Sequence, residues 1–321
     1  SFGGGKTHSL IALYHLVSGV AVDRIPGVSE VLADGDLSIP ERVNRAVFVG
    51  HKMSPSTIDE KPDGTKVRTL WGEIAWQLGG AEGYAMVAED DEYATNPGSK
   101  LIDLFERFGP VLVLIDEWVA YARLLPDRAD DTRQLPAGDF DTQFTFAQAL
   151  SEAASSVDNA LVLVSIPSAE LEVGGEKGQR ALEKLRHVVS RTAWHWRPAS
   201  TDESFEIVRR RLFEPIPADL APKRDAVVRA FHNLYLDHTA DFPSETKEAE
   251  YRRRMEAAYP LHPELFDRLY HDWSTLDRFQ RTRGMLKLMA TVIAELWARD
   301  DRSLMIMPGT IPIDSNAVVS Q

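Results

Sequence analysis

The sequence predicts an α/β fold in which a parallel sheet is layered between helices and followed by an all-helical part. Three stretches predict it. Gly3-Gly4-Gly5-Lys6-Thr7 runs straight into the mostly apolar residues 10–17, the form of a tight glycine turn that opens a helix. Residues 111–115 are apolar without a break, as a central strand buried on both faces requires, and Asp116-Glu117 follow directly. Beyond about residue 200 the pattern is mainly helical and begins with Pro-rich connections.

Each element follows in order. A first helix is expected over about 7–20, then a Gly/Pro/Asp-rich connection through Pro26-Gly27, Gly35 and Pro40. Residues 46–50 read as a short buried strand, and 51–66 as a loop or small hairpin with Pro55, Pro62 and Asp63-Gly64. Residues 68–78 form a helix stopped by Gly79-Gly80, with Trp71 and Trp76 as packing residues. Ser99 is the expected N-cap of a helix carrying Leu101, Leu104 and Phe105 and ended by Gly109-Pro110. After the 111–116 strand come a helix at 118–125, a long acidic loop at 126–142 and a helix at 144–154. A second apolar strand, 160–165, ends in Ser165, and a helix at 179–189 follows. Residues 191–198 alternate and predict a closing strand. Helices are then expected at 201–213, 225–235, 245–258, 263–270 and 284–298, with a new strand at 304–310.

Composition narrows the function. The chain has 321 residues, 44% hydrophobic and 26% charged, which is globular and sized for one large or two smaller domains. No apolar run approaches the length of a membrane span. There is no Cys, which excludes disulfides, thiolate metal sites and a Cys nucleophile, and suits a cytoplasmic location. A net charge of −13 argues against a broad nucleic-acid footprint. The His residues, among them His262 and His271, lack metal-ligand spacing. Arg252-Arg253-Arg254 reads as a solvated helix face.

The chemistry concentrates at two points. Gly5-Lys6-Thr7 has the form of the end of a phosphate-binding loop, G-x-x-x-x-G-K-[ST], whose first glycine would precede Ser1, so the chain is expected to begin inside the motif. Gly3, Gly4, Gly5, Lys6, Thr7 and His8 are then the nucleotide-binding residues: backbone N–H groups face a polyphosphate, the helix dipole adds to them, and Lys6 reaches the β/γ-phosphates. Thr7 and Asp116 are the expected Mg²⁺ ligands, and Glu117 the group that polarises an attacking water. Ser165, at the end of its strand, is placed to sense a γ-phosphate or orient that water. The expected cofactors are ATP and Mg²⁺. The plain alternatives are a glycine-rich turn and a strand ending in a solvated acidic turn.

The order of these parts resembles the AAA+ ATPases. That resemblance implies a three-layer P-loop NTPase core with a parallel sheet over residues 1–199, its first strand truncated, an all-α lid over 200–300, and the start of a following segment at 301–321. Residues 191–198 resemble the arginine-finger region and last strand, so Arg191 is the first choice for a finger acting on a neighbouring subunit, with Arg186 second; this implies a homo-oligomer. Residues 279–289 resemble the lid helix with a second sensor arginine, here Arg283, with Arg281 as substitute. Four stretches, Gly4-Gly5-Lys6-Thr7-His8-Ser9-Leu10, Leu70-Trp71-Gly72-Glu73-Ile74-Ala75-Trp76, Leu114-Ile115-Asp116-Glu117-Trp118 and Phe279-Gln280-Arg281-Thr282-Arg283-Gly284, are similar to a narrower bacterial group catalogued as domain of unknown function 499. Its members often lie beside DNA methyltransferases and helicases in anti-phage islands, so DNA or DNA-modification proteins are implied partners, through regions outside these residues. The expected activity is ATP hydrolysis driving a motor or remodeller. A nucleotide-controlled assembly switch with little turnover is the alternative, and a small-molecule kinase a weaker third.

Overall fold

The computed structural model describes residues 5–127, 134–167, 173–190, 193–196, 201–271 and 281–320. The chain divides into two compact units, Gly5–Trp196 and Arg197–Gln321.

The first unit is mixed α/β. Its elements in order are α1 (Lys6–Leu16), α2 (Val28–Asp34), β1 (Asn44–Val49), the short strands β2 (Asp59–Glu60) and β3 (Lys66–Val67), α3 (Leu70–Ala85), α4 (Ala88–Glu92), α5 (Lys100–Phe108), β4 (Val111–Asp116), α6 (Trp118–Ala122), α7 (Phe140–Ser156), β5 (Ala160–Val164) and α8 (Gly175–Val189). Strands β1, β4 and β5 form a parallel sheet in that order, and β2 and β3 form a small antiparallel hairpin. Val49 stands opposite Asp116, and Val164 opposite Ile115, so three strands end together at one edge.

The pleat sorts the central strand between two cores. Val111, Val113 and Ile115 join Ala46 and Phe48 in the large core with Trp71, Trp118 and Phe146, while Leu112 and Leu114 meet Leu10 of α1 on the other face. All six residues of β4 are buried, which is why its apolar run is continuous. Phe48 and Tyr121 pack edge to face, 5.0 Å between centroids.

Helix α3 is two helical segments: Gly80, at φ 59° and ψ −147°, is non-helical, so the first segment ends at Gly79-Gly80 as expected, and a second runs on to Ala85. Its start is held by Asp91, fully buried at the end of a stretch with no strong sequence signal. The Asp91 carboxylate accepts from the N–H of Thr69 at 2.8 Å and of Arg68 at 3.1 Å, and from the Tyr84 hydroxyl at 2.9 Å. Gly72 faces that carboxylate so closely that a Cβ there would overlap it. Trp71 is buried as a packing residue, whereas Trp76 donates its Nε1–H to Asp63 of the hairpin at 3.0 Å. At α5 the expected cap is absent: Ser99 makes no side-chain cap, and Asn96 Oδ1 instead accepts the N–H of Gly98. The acidic loop before α7 is partly used in folding, since Asp139 caps that helix through the N–H of Thr142 at 2.8 Å.

One strand expectation is overturned. Residues 193–196 are irregular, and Trp194 and Trp196 are exposed. Alternation alone does not make a strand; a ladder partner does, and among the described residues β5 pairs only with β4. Leu161, half-exposed, shows how open that side of β5 is.

The second unit is helical, with α9 (Thr201–Leu212), α10 (Ala221–Asp237), α11 (Ala249–Ala258), α12 (Pro263–His271), α13 (Arg281–Ala298) and α14 (Asn316–Val319). The strand expected at 304–310 is reduced to one parallel bridge between Leu261 and Ile306, followed by a 3-10 turn at Pro308–Thr310, because proline at 308 withholds the next ladder donor. Arg252, Arg253 and Arg254 pair with Glu256, Glu250 and Asp267 of the same chain, in keeping with a solvated helix face.

His262 is a buried imidazole of this unit. Its Nδ1 accepts the N–H of Glu264 at 3.2 Å, which leaves the proton on Nε2, 2.8 Å from the Tyr235 hydroxyl. Burial pushes the imidazole down to about 4, with Glu264 opposing and Arg254 adding to the shift. Above its ordinary value near 6.5 the group is neutral in both folded and unfolded chains, and folding carries no penalty. Between 6.5 and about 4 only the unfolded chain takes the proton, so stability falls with pH, by up to ~3 kcal/mol. Urea unfolding of wild type and His262→Gln at pH 7 and pH 4.5 tests this; the wild type should lose more, and equal losses would contradict it.

Candidate functional site

Two turns meet at the common C-terminal edge of the parallel strands. The first is Gly5, in left-handed backbone (φ 81°), immediately before α1. Such a conformation suits glycine and turns the chain into the helix, whose first N–H groups have no intrahelical acceptor. Ser9 closes the first turn, its N–H donating to the Gly5 carbonyl at 2.8 Å. The second is Glu117, also left-handed (φ 54°), between β4 and α6. A non-glycine residue there needs support from its surroundings, and the surroundings supply it. The Glu117 N–H donates to Ser165 Oγ at 3.1 Å. Gly50, next after β1, lies so close to the Glu117 carbonyl that a Cβ would overlap it.

Side chains from both turns come together. The Thr7 hydroxyl donates to Asp116 Oδ2 at 2.7 Å across 109 residues of sequence. Ser165, buried, donates to the other oxygen, Oδ1, so Asp116 is held from two sides. Lys6 Nζ reaches the Ile166 carbonyl at 3.4 Å, over the end of β5. The Glu117 carboxylate accepts from His51 Nδ1 at 2.8 Å, with both side chains about half exposed. His8 lies exposed on α1. Lys6, Thr7, Asp116, Glu117 and Ser165 therefore occupy one small region.

The remaining predicted residues lie elsewhere or outside the description. Gly3, Gly4 and Arg191 fall outside the described residues; Arg281 and Arg283 are in the first turn of α13, with side chains outside the description. Arg186 is half-buried and donates to the Pro167 carbonyl at 3.0 Å within its own chain.

Two participants had no sequence signal. His51 sits in a polar stretch and matters only because β1 lies beside β4, a neighbour relation the sequence does not state. The Ile166 contribution is a backbone carbonyl, which any residue carries. A cavity of about 550 Å³ also borders the site, lined by Thr7 and Asp116 and, along α1 and β1, by Tyr14, Asn44 and Arg45. Its edge is closed by Gln77, whose amide pairs with both the N–H and C=O of Val47 at 2.7 and 3.0 Å, in place of a neighbouring strand.

The oxygen donors suit a hard cation. Among the described residues no three His, Asp or Glu side chains are arranged to hold a metal unaided. One carboxylate and one hydroxyl, completed by phosphate and water, is a donor set of the type Mg²⁺ accepts. No helix is long and apolar enough to cross a membrane among the described residues.

The family model for the DUF499 N-terminal domain matches residues 1–196, and that for the DUF499 second domain matches residues 199–320. No curated protein and no solved structure matches the chain.

Proposed function

The chain belongs to the DUF499 family, and we propose that its first unit is a P-loop NTPase core of the AAA+ type that binds ATP with Mg²⁺ and hydrolyses it. The observation that carries this reading is the hydrogen bond between Thr7 and Asp116. Two side chains 109 positions apart, one after a left-handed glycine at a helix start and the other at the end of a buried strand, meet as a pair of oxygen donors. A glycine turn or an acidic turn alone gives no reason for that meeting.

In this reading the α1 N-terminus and Lys6 receive the β- and γ-phosphates. Thr7 and Asp116 hold Mg²⁺, which when bound neutralises charge on the phosphates. Glu117 orients a water and accepts its proton as the water oxygen attacks the γ-phosphorus and the bond to the β-phosphate oxygen breaks. Ser165 keeps both acids in place through the two contacts already described. Arg191 is the proposed finger in a homo-oligomer, and the second unit the lid, with Arg283 as its sensor.

The biological setting proposed is a motor or remodelling component of a bacterial anti-phage or DNA-modification system, a reading that rests on the family resemblance. Steady-state phosphate release from Mg-ATP, measured on the intact protein with and without duplex DNA, tests the activity. Turnover raised by DNA is the expected result. Saturable ATP binding without phosphate release under either condition would replace this reading with an assembly switch.

A further inference from the structure

We infer that the cavity of about 550 Å³ beside α1 is a second binding site, distinct from the one proposed for the nucleotide. Its ligand is a small amphipathic anion: an apolar body with one carboxylate or phosphate head, which Arg45 receives. Mostly apolar walls with a few polar groups that fix orientation are the make-up of a small-molecule pocket, and the volume suits one.

The strand places the head end. Ala46 and Phe48 point into the large core, so the pleat turns Arg45 and Val47 to the opposite face, towards α1. There the Arg45 guanidinium lies over the Tyr14 ring, 4.5 Å from its centroid, and donates one N–H to the Tyr14 carbonyl at 3.3 Å. Among the described residues no Asp or Glu pairs with it. A guanidinium carries its N–H donors in one plane. Stacking on a ring fixes that plane and leaves the edge open, the arrangement that meets a carboxylate or phosphate with two parallel hydrogen bonds.

The charge around the cavity has the matching polarity. Of the residues that line it only Asp116 is acidic, and its carboxylate is taken up at the far end by Thr7 and Ser165. Thr7 and Tyr14 are two turns apart on α1, about 10 Å along the axis. Between these ends the walls are apolar, from Leu10 and Ile11 of α1, Val47 of β1 and Leu114 of β4. A ligand would therefore lie along α1, its head at Arg45 and its body against Leu10 and Leu114. The start of α1 and Lys6, which receive phosphates in the nucleotide reading, are at the other end of the helix.

Equilibrium dialysis of the intact protein with radiolabelled octanoate, and with 1-octanol as the same body without the charge, tests the site. Saturable binding of octanoate at one site per chain is expected. Arg45→Gln should weaken octanoate about 10-fold or more and leave octanol unchanged, which also shows that the variant is folded. Ile11→Trp, at a half-exposed position on the cavity wall, should weaken both by taking up room. Octyl phosphate in place of octanoate distinguishes the two head groups, the tighter binder naming the natural one. A non-hydrolysable ATP analogue should not displace octanoate. Absence of saturable octanoate binding, or an octanoate affinity in Arg45→Gln that is unchanged or falls only as far as that of octanol, would overturn the inference. So would displacement by the ATP analogue, which would make the cavity part of the nucleotide's own site.

Discussion

Glu117→Gln is expected to bind ATP as the wild type does and to hydrolyse it ~10²–10⁴-fold more slowly. The amide keeps the size of the side chain and can still accept from His51, so the turn at Glu117 should persist with its contacts to Ser165 and Gly50. What is lost is a group able to take a proton from water. Titration with a non-hydrolysable ATP analogue and steady-state phosphate release, run side by side, separate the two effects. Wild-type turnover in this variant would remove Glu117 from the mechanism and favour the switch.

Lys6→Ala should weaken ATP binding by one to two orders of magnitude. Lys6 is the cation at the helix start that carries the Gly5 turn, and its Nζ lies over the end of β5 at the Ile166 carbonyl. A hydrogen bond to a charged group contributes about 1.5–3 kcal/mol, or ~10- to 150-fold in affinity. Circular dichroism should be unchanged, because Lys6 is half-buried at the edge of the unit rather than in its core. Unaltered affinity would mean that phosphate does not bind at this loop.

How much of this was legible in the sequence depends on whether the signal is local. β4 was legible because a strand buried on both faces reads as a continuous apolar run, and Val111–Ile115 are all buried ahead of Asp116. The long helices were legible from their periodicity, although their ends moved; α7 begins at Phe140 because Asp139 caps it there. Non-local relations were not legible. Asp91 looks like one acid among several in Glu89-Asp90-Asp91-Glu92, yet it is fully buried and ties down the start of α3. The alternation of residues 191–198 had the form of a strand, but the described residues 193–196 have no ladder partner. The short helices α2 and α4 were missed because seven and five residues are too few to show a period.

The candidate site divides in the same way. Lys6, Thr7, Asp116 and Glu117 were visible because their residue types recur at set offsets around a glycine turn and an apolar strand. Ser165 was visible by position alone, and its partners, Asp116 and the Glu117 N–H, could not be read from the chain. His51 needed the register of β1 on β4.

Gly5, Lys6, Thr7 and Asp116 are proposed to form a site for a magnesium nucleotide. Calorimetric titration of the intact protein with a non-hydrolysable ATP analogue, with and without Mg²⁺, reads that site without relying on turnover. Saturable binding is expected at one site per chain, in the micromolar range with Mg²⁺ and weaker without it. No binding at millimolar analogue, or binding indifferent to Mg²⁺ and unchanged in Asp116→Asn, would contradict it.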